Sequence, residues 1–183
     1  LRINELSRHS YLIRKINHME VINFGNTRIR QYRPDILFTN KNEEIVLLVE
    51  VKAQKLETEL NRESAIYQLK TYLQNIKPDI PFGMLVDLEE INIFALNNDQ
   101  EIEKLVSLRT NDILSNYDPE SPHKRIFDFY LETLVKSWLR DLSYHWNSDT
   151  PPAYNELAKI GLLPLLAGGH TYIQEDLGAD TLH

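Results

Sequence analysis

With 183 residues and 42% hydrophobic content, the chain can bury one full core with some decoration and is too short for two ordinary domains. Its longest apolar stretches, such as residues 45–49 and 162–167, fall far below the roughly 20 residues of a bilayer span, and the absence of cysteine excludes disulfides and thiolate metal sites, so that any metal would be a hard cation held by oxygen or imidazole. A net charge of −7 argues against a surface that grips polyanions everywhere, but residues 1–78 carry 13 Lys and Arg against 9 Asp and Glu, whereas residues 79–183 carry 7 against 18. The chain starts at Leu1 with no basic and apolar leader, and a cytoplasmic location is expected.

In chain order, Leu6, Leu12, Ile13 and Ile16 recur at helical spacing and predict an amphipathic helix over residues 4–18. Gly25-Asn26 is a turn signal. After Pro34, Ile36-Leu37-Phe38-Thr39 is rich in strand-forming side chains, and a polar segment at residues 40–44 separates it from a second strand, Ile45-Val46-Leu47-Leu48-Val49-Glu50-Val51-Lys52. The pair reads as a β-hairpin, and its second strand, apolar on both faces for most of its length, reads as a central strand covered by helices. Ala65, Leu69, Tyr72, Leu73 and Ile76 predict a helix over residues 58–76, ended by Pro78. Residues 82–86 and 91–96 are two further strands around the turn Asp87-Leu88-Glu89-Glu90, which gives the order αββαββ. A third helix is expected over residues 123–145, with Phe127, Leu131, Leu134, Val135, Trp138 and Leu142 on one face. Pro151-Pro152 then separates a domain at residues 1–150 from an extension at 151–183, apolar enough to dock or to oligomerise but without a clear period.

If the first hairpin turns symmetrically about Asn42 and Glu43, Asp35 lies directly across from Glu50. Opposed side chains project to one face with β-carbons about 5 Å apart, where two carboxylates repel unless something positive lies between them. Lys52, two residues beyond Glu50, points to the same face. Two acids and an amine converging at a sheet end suit phosphodiester hydrolysis: Asp35 and Glu50, with the Val51 carbonyl as a further oxygen donor, are suited to hold a divalent ion, and Lys52 either helps to orient and deprotonate the attacking water or neutralises charge in the transition state. Singly these features are ordinary, since a strand ending in Glu-x-Lys is often just solvated and Pro-Asp is a common turn dipeptide.

The conjunction of Pro34-Asp35, a fourteen-residue gap, Glu50-Val51-Lys52 at the end of an apolar strand and a helix immediately after resembles the PD-(D/E)XK nucleases. Gln68-Leu69-Lys70-Thr71-Tyr72 is similar to the Gln-x-x-x-Tyr element of their RecB-like branch and of the N-terminal nuclease domains of type I restriction subunits. Residues four apart share a helix face, so Gln68 and Tyr72 can both look toward the site. Taken alone, Tyr72 reads equally well as a core aromatic. The resemblance covers roughly residues 1–96. It implies an α/β restriction-endonuclease-like core with a mixed central sheet flanked by helices and, beyond it, a C-terminal helical extension. It also implies a nuclease dependent on Mg2+, with Mn2+ as substitute, that acts on nucleic acid, DNA before RNA, as an endonuclease rather than an exonuclease. Such families often bring an acid from the first helix to the metal, and Glu5 is favoured over Glu20 for that place. The alternative is a module that keeps the fold to bind nucleic acid or a protein without turnover.

Arg28, Arg30 and Arg33 precede the motif closely enough to lie beside a phosphate backbone, or they form a solvated strand face. Asp87 reads as a turn residue, the six histidines show no zinc-site spacing, and Trp138 and Trp146 read as core or interface aromatics. Leu162, Leu163, Leu165 and Leu166 must cover either the domain or a neighbouring subunit, so a homodimer is one assembly the sequence allows. No membrane partner is expected.

Overall fold

The computed structural model describes residues 34–76 and 79–173. The expected first helix and the segment with Gly25-Asn26 lie outside them. A six-stranded sheet runs in the order β5-β4-β3-β2-β1-β6, built from β1 (Ile36–Thr39), β2 (Ile45–Val51), β3 (Phe82–Val86), β4 (Glu90–Leu96), β5 (Ile102–Arg109) and β6 (His170–Ile173). Only β2 and β3 are parallel, and between them the chain crosses over through α1 (Glu59–Asn75). The other helices are α2 (Thr110–Leu114), α3 (Asp128–Tyr144), α4 (Tyr154–Lys159) and α5 (Leu163–Leu166), with one 3-10 turn at Ser121–His123. This is a mixed α/β fold with a restriction-endonuclease-like arrangement, the sheet lying between helical layers.

Strand alternation divides the apolar side chains between two cores. Leu37, Leu48, Leu85 and Phe94 pack under α1 through Leu69, Tyr72 and Leu73, whereas Ile36, Phe38, Leu47, Val49, Met84 and Ile93 pack against α3 through Leu131, Val135 and Trp138. Every residue of β2 is buried, as expected of a strand covered on both faces. A β-bulge interrupts the first hairpin, with Phe38 paired to Leu47 but Thr39 to Ile45, so Val46 and Leu47 both face the α3 layer while Ile45 turns toward α1. The bulge falls beside the turn, where the Asn40 side chain accepts from the backbone N–H groups of Asn42 (2.8 Å) and Glu44 (3.1 Å).

The helix expected over 58–76 spans Glu59–Asn75, with Thr58 as its N-cap, its hydroxyl accepting from the Asn61 N–H at 3.2 Å. The third expected helix begins later, at Asp128 rather than near 123: Lys124 and Phe127 are extended, and Phe127 stands at the N-cap with 59% of its surface exposed instead of joining the apolar face. Leu131, Leu134, Val135, Trp138 and Leu142 of that face are buried as expected, whereas Trp146 is half exposed.

Two strands went unforeseen. β5 extends the antiparallel part beyond β4; the sequence assigned no element there, because Glu103 and Lys104 stand side by side and the strand is only partly buried, with no two-residue period. The residues beyond Pro151 do more than add helix: Leu157, Leu162, Leu163 and Leu166 enter the α3-side core, the Trp138 indole donates to the Pro152 carbonyl (3.0 Å), and β6 pairs antiparallel with β1 from Ile36↔Ile173 to Thr39↔His170. A four-residue strand and a four-residue helix are too short to show a period, and for that reason the sequence left them unassigned. Among the described residues no helix is long and apolar enough to cross a membrane.

Candidate active site

The site forms where β1 and β2 emerge from under α1. Ile36↔Val49 and Leu37↔Leu48 fix the register, and one further step sets Asp35 across from Glu50, as the symmetric hairpin predicts. Both acids lie two residues from a member of the α1-side core, Leu37 and Leu48, so both face α1. Asp35 reaches past its opposite residue, its Oδ2 accepting from the Val51 N–H at 2.7 Å. Glu50 is 2% exposed, and its two oxygens have different partners: Oε2 accepts from the Lys52 ammonium at 3.1 Å, and Oε1 accepts a long contact from the Gln68 amide at 3.4 Å. The same amide nitrogen lies 3.3 Å from the Tyr72 hydroxyl. Lys52 itself is held one step beyond β2 by its backbone N–H, which donates to the Val86 carbonyl at 2.8 Å, so the parallel ladder with β3 fixes where the amine begins.

Tyr72 combines the two readings open to it in the sequence. Its ring is part of the α1-side core, with 6% of its surface exposed, and its hydroxyl belongs to the polar chain Tyr72, Gln68, Glu50, Lys52. The helical spacing of Gln68 and Tyr72 achieves this, because α1 presents both on the face that crosses the end of β2.

Electrostatically the site has an excess of buried negative charge. Burial, and then the neighbouring charge of Asp35, push the Glu50 carboxyl up to about 7, more than Lys52 can offset. Burial also raises Asp35, against the Val51 N–H and Lys52. Burial opposes the charge on Lys52, but Glu50 and Asp35 together outweigh it and hold the amine above its ordinary range. Two crowded acids with only oxygen donors are a poor resting place for two negative charges and a good one for a hard divalent cation, so the residues present fit Mg2+ or Mn2+. Among the described residues no group of three or more His, Asp or Glu side chains is placed to hold a metal ion together, so the pair Asp35 and Glu50 is what the described residues offer. Glu5, Arg28, Arg30 and Arg33 lie outside the described residues, as does Glu20.

One acid beside the site carries no mark in the sequence. Asp128, in the first turn of α3, accepts from the Ala53 N–H at 2.8 Å and so ties down the chain just after Lys52, and its charge is felt at both Lys52 and Asp35. It lies 75 residues from Ala53 in the chain, and an acid opening a helix is explained by the helix dipole alone, so nothing local marked it. Asp87 has the turn role expected of it, accepting from the N–H groups of Glu89 and Glu90, both at 2.7 Å.

Fold and site together define an α/β protein with an acid, acid and amine cluster at the carboxyl end of its central strand, supported from the crossover helix. The family described as "Type I restriction enzyme R protein N terminus (HSDR_N)" matches residues 3–108, more than half of the chain, and the chain belongs to that family. The matched residues include Asp35, Glu50, Lys52, Gln68 and Tyr72, and extend past the 1–96 of the motif resemblance into β5. No curated protein and no solved structure matches the chain significantly.

Proposed function

We propose that the protein is a metal-dependent nuclease that hydrolyses phosphodiester bonds in DNA, with endonucleolytic cutting as the expected mode. The observation that carries this reading is the Glu50 carboxylate, buried beside Asp35 and bracketed by the Lys52 ammonium and the Gln68 amide. The restriction-enzyme family supports DNA as the substrate.

In this reading Asp35, Glu50 and the Val51 carbonyl hold Mg2+, or Mn2+ in its place, and Glu5 is the proposed acid from the amino-terminal region. When bound, the ion supplies Lewis-acid polarisation of the phosphoryl group and neutralises charge on its oxygens. The chain's own groups do the rest. Lys52 directs its ammonium at the phosphoryl oxygens and at the attacking water, countering the charge that grows as the water oxygen bonds to phosphorus and the bond to the leaving sugar oxygen breaks. Gln68 fixes the rotamer of Glu50 by its amide contact, and Tyr72 fixes Gln68 in turn. Arg28, Arg30 and Arg33 are proposed to lie along the phosphate backbone, which suits the basic balance of residues 1–78. A homodimer is the proposed assembly, through a surface other than Leu162, Leu163 and Leu166, which the chain's own core takes up, and the cytoplasm is the proposed location.

The test is direct. Purified protein is incubated with plasmid and linear DNA in Mg2+, in Mn2+ and in chelator, beside Asp35→Ala and Lys52→Ala. Cleavage by the parent protein that needs the ion and disappears in both variants is expected. Cleavage that survives both substitutions points to a contaminant, and binding without cutting under every metal condition favours the inactive binding module.

A further inference from the structure

On the other side of the strand end that carries Lys52 lies a cavity of about 490 Å³. Its wall begins at Ala53, the next residue after Lys52, and continues with Leu88, two residues beyond Val86, whose carbonyl accepts from the Lys52 N–H. Because β2 and β3 are the parallel pair, the cavity opens at their shared carboxyl end, the position where α/β sheets bind ligands. Lys52 faces α1 and Ala53 faces the α3 layer, so site and cavity flank one backbone step of about 3.8 Å. Asp128 holds that step in place through the Ala53 N–H.

The lining is amphipathic. Leu88, Leu114 and Ile126 give apolar walls, Asn111 offers an amide at the exposed side, and Lys124 and Arg125 supply positive charge. Lys124 is paired with Asp118 at 2.7 Å. Among the described residues Arg125 has no carboxylate partner; its guanidinium sits 5.2 Å from the centre of the exposed Phe127 ring. A slot of this size with apolar walls on one side, an edge amide, an unneutralised guanidinium and an exposed aromatic ring beside it are the combination that receives an unstacked base with its phosphate: the π-face packs on the apolar walls, the base edge meets the amide, and the backbone meets the cation.

We infer that this cavity is a subsite for an unpaired nucleobase of the substrate strand, one nucleotide away from the phosphodiester bond presented to Glu50 and Lys52, with Arg125 on its phosphate and Phe127 stacking the next base. The inference rests on the nuclease reading and deepens it: the preferred substrate is single-stranded or locally opened nucleic acid. An intact duplex keeps its bases stacked and cannot fill the slot.

The test uses the full chain with single-stranded oligonucleotides carrying one 2-aminopurine, and matched duplexes, in Ca2+ to separate binding from cutting. Binding of the parent protein is expected to raise 2-aminopurine fluorescence several-fold at one position of the single strand, and the single strand is expected to bind more tightly than the duplex. Asn111→Trp, at an exposed position on the cavity rim, should abolish the rise, and Arg125→Ala should weaken single-strand binding about tenfold and lower the salt slope by about one. A thermal melt establishes that both variants are folded, and Arg125→Ala stands as the test where Asn111→Trp is not. If the parent protein binds and cuts DNA but gives no fluorescence rise, or Asn111→Trp keeps the rise, the subsite is overturned while the nuclease reading stands. If neither single strand nor duplex is bound or cut, the nuclease reading falls and takes the subsite with it.

Discussion

Asp35 accepts a 2.7 Å hydrogen bond from the backbone N–H of Val51, one residue past Glu50 in the facing strand. The acid therefore closes the ladder between β1 and β2 at the site, so its side chain has a structural duty apart from any catalytic one. The two duties separate by substitution. Asp35→Ala leaves the N–H of the buried Val51 without its acceptor and should lower stability by about 1–2 kcal/mol in urea melts, as well as abolishing cleavage. Asp35→Asn keeps an oxygen toward Val51 and should melt within about 1 kcal/mol of the parent, yet cleave no better than the alanine variant, because it loses the charge a cation requires. Full activity in Asp35→Asn would remove Asp35 from the proposed metal site.

Glu50 makes the apo protein sensitive to pH. Its folded carboxyl is pushed up to about 7 from an ordinary 4.5, so between those values the folded chain holds a proton that the unfolded chain has released. Stability from this group is then greatest below about pH 4.5 and falls as pH rises toward 7, by on the order of 3 kcal/mol in all. A divalent cation needs the ionised form, so its affinity should rise over the same window and level off above about 7. Glu50→Gln should flatten both profiles and melt higher than the parent at pH 8 in chelator. Urea melts across pH, with calorimetric titration of Mg2+, check both parts. A parent protein equally stable at pH 5 and pH 8 in chelator would contradict the buried-charge account.

Tyr72 offers a similar division, because its ring is in the core and its hydroxyl is beside Gln68. Tyr72→Phe keeps the packing and should change stability by no more than about 1 kcal/mol. Its cleavage rate should drop about tenfold, the effect expected of loosening a group that orients another. Tyr72→Ala opens a cavity under α1 and should cost about 3–5 kcal/mol. If Tyr72→Phe cleaves at the parent rate, the Gln-x-x-x-Tyr spacing serves packing alone.

Much of this arrangement was legible because its determinants are local. The apolar run of β2, the polar turn at residues 40–44 and the two-residue period place Asp35, Glu50 and Lys52 on one face from sequence alone, and the register proves symmetric at the acids even though a bulge interrupts it at Thr39. Thr58 and the spacing of Leu69, Tyr72 and Leu73 define α1 equally well. What escaped depends on distant or short segments. Asp128 reaches the site only through tertiary packing, and β6 has four residues whose strand character comes from β1. β5 carries exposed charges at the sheet edge, the kind of edge that discourages further pairing and hides the strand from pattern reading. Phe127 shows the opposite error, since its place in the helical period suggested burial while an extended backbone before α3 turns it outward.

Gly168 and Gly169 lead into β6 and make different demands, which tests whether the tail is part of the domain. Gly168 has φ +70° but open surroundings, the nearest atom to an added methyl being the Lys41 Cβ at 3.7 Å, so Gly168→Ala costs only backbone strain, about 1 kcal/mol. At Gly169 an added β-carbon would run into the Thr39 carbonyl and stand 2.5 Å from the Phe38 ring. Neither neighbour can yield, since Phe38 is fully buried and Thr39 is paired on both sides. Gly169→Ala must therefore push β6 away from β1, and it should lower stability by about 2–4 kcal/mol. Because β1 also carries the chain to Asp35, cleavage should weaken in Gly169→Ala and stay near the parent level in Gly168→Ala. Parallel urea melts and cleavage assays of the two variants check this. Equal, small effects from both would mean that β6 is dispensable to the fold and that the tail leaves the sheet at little cost.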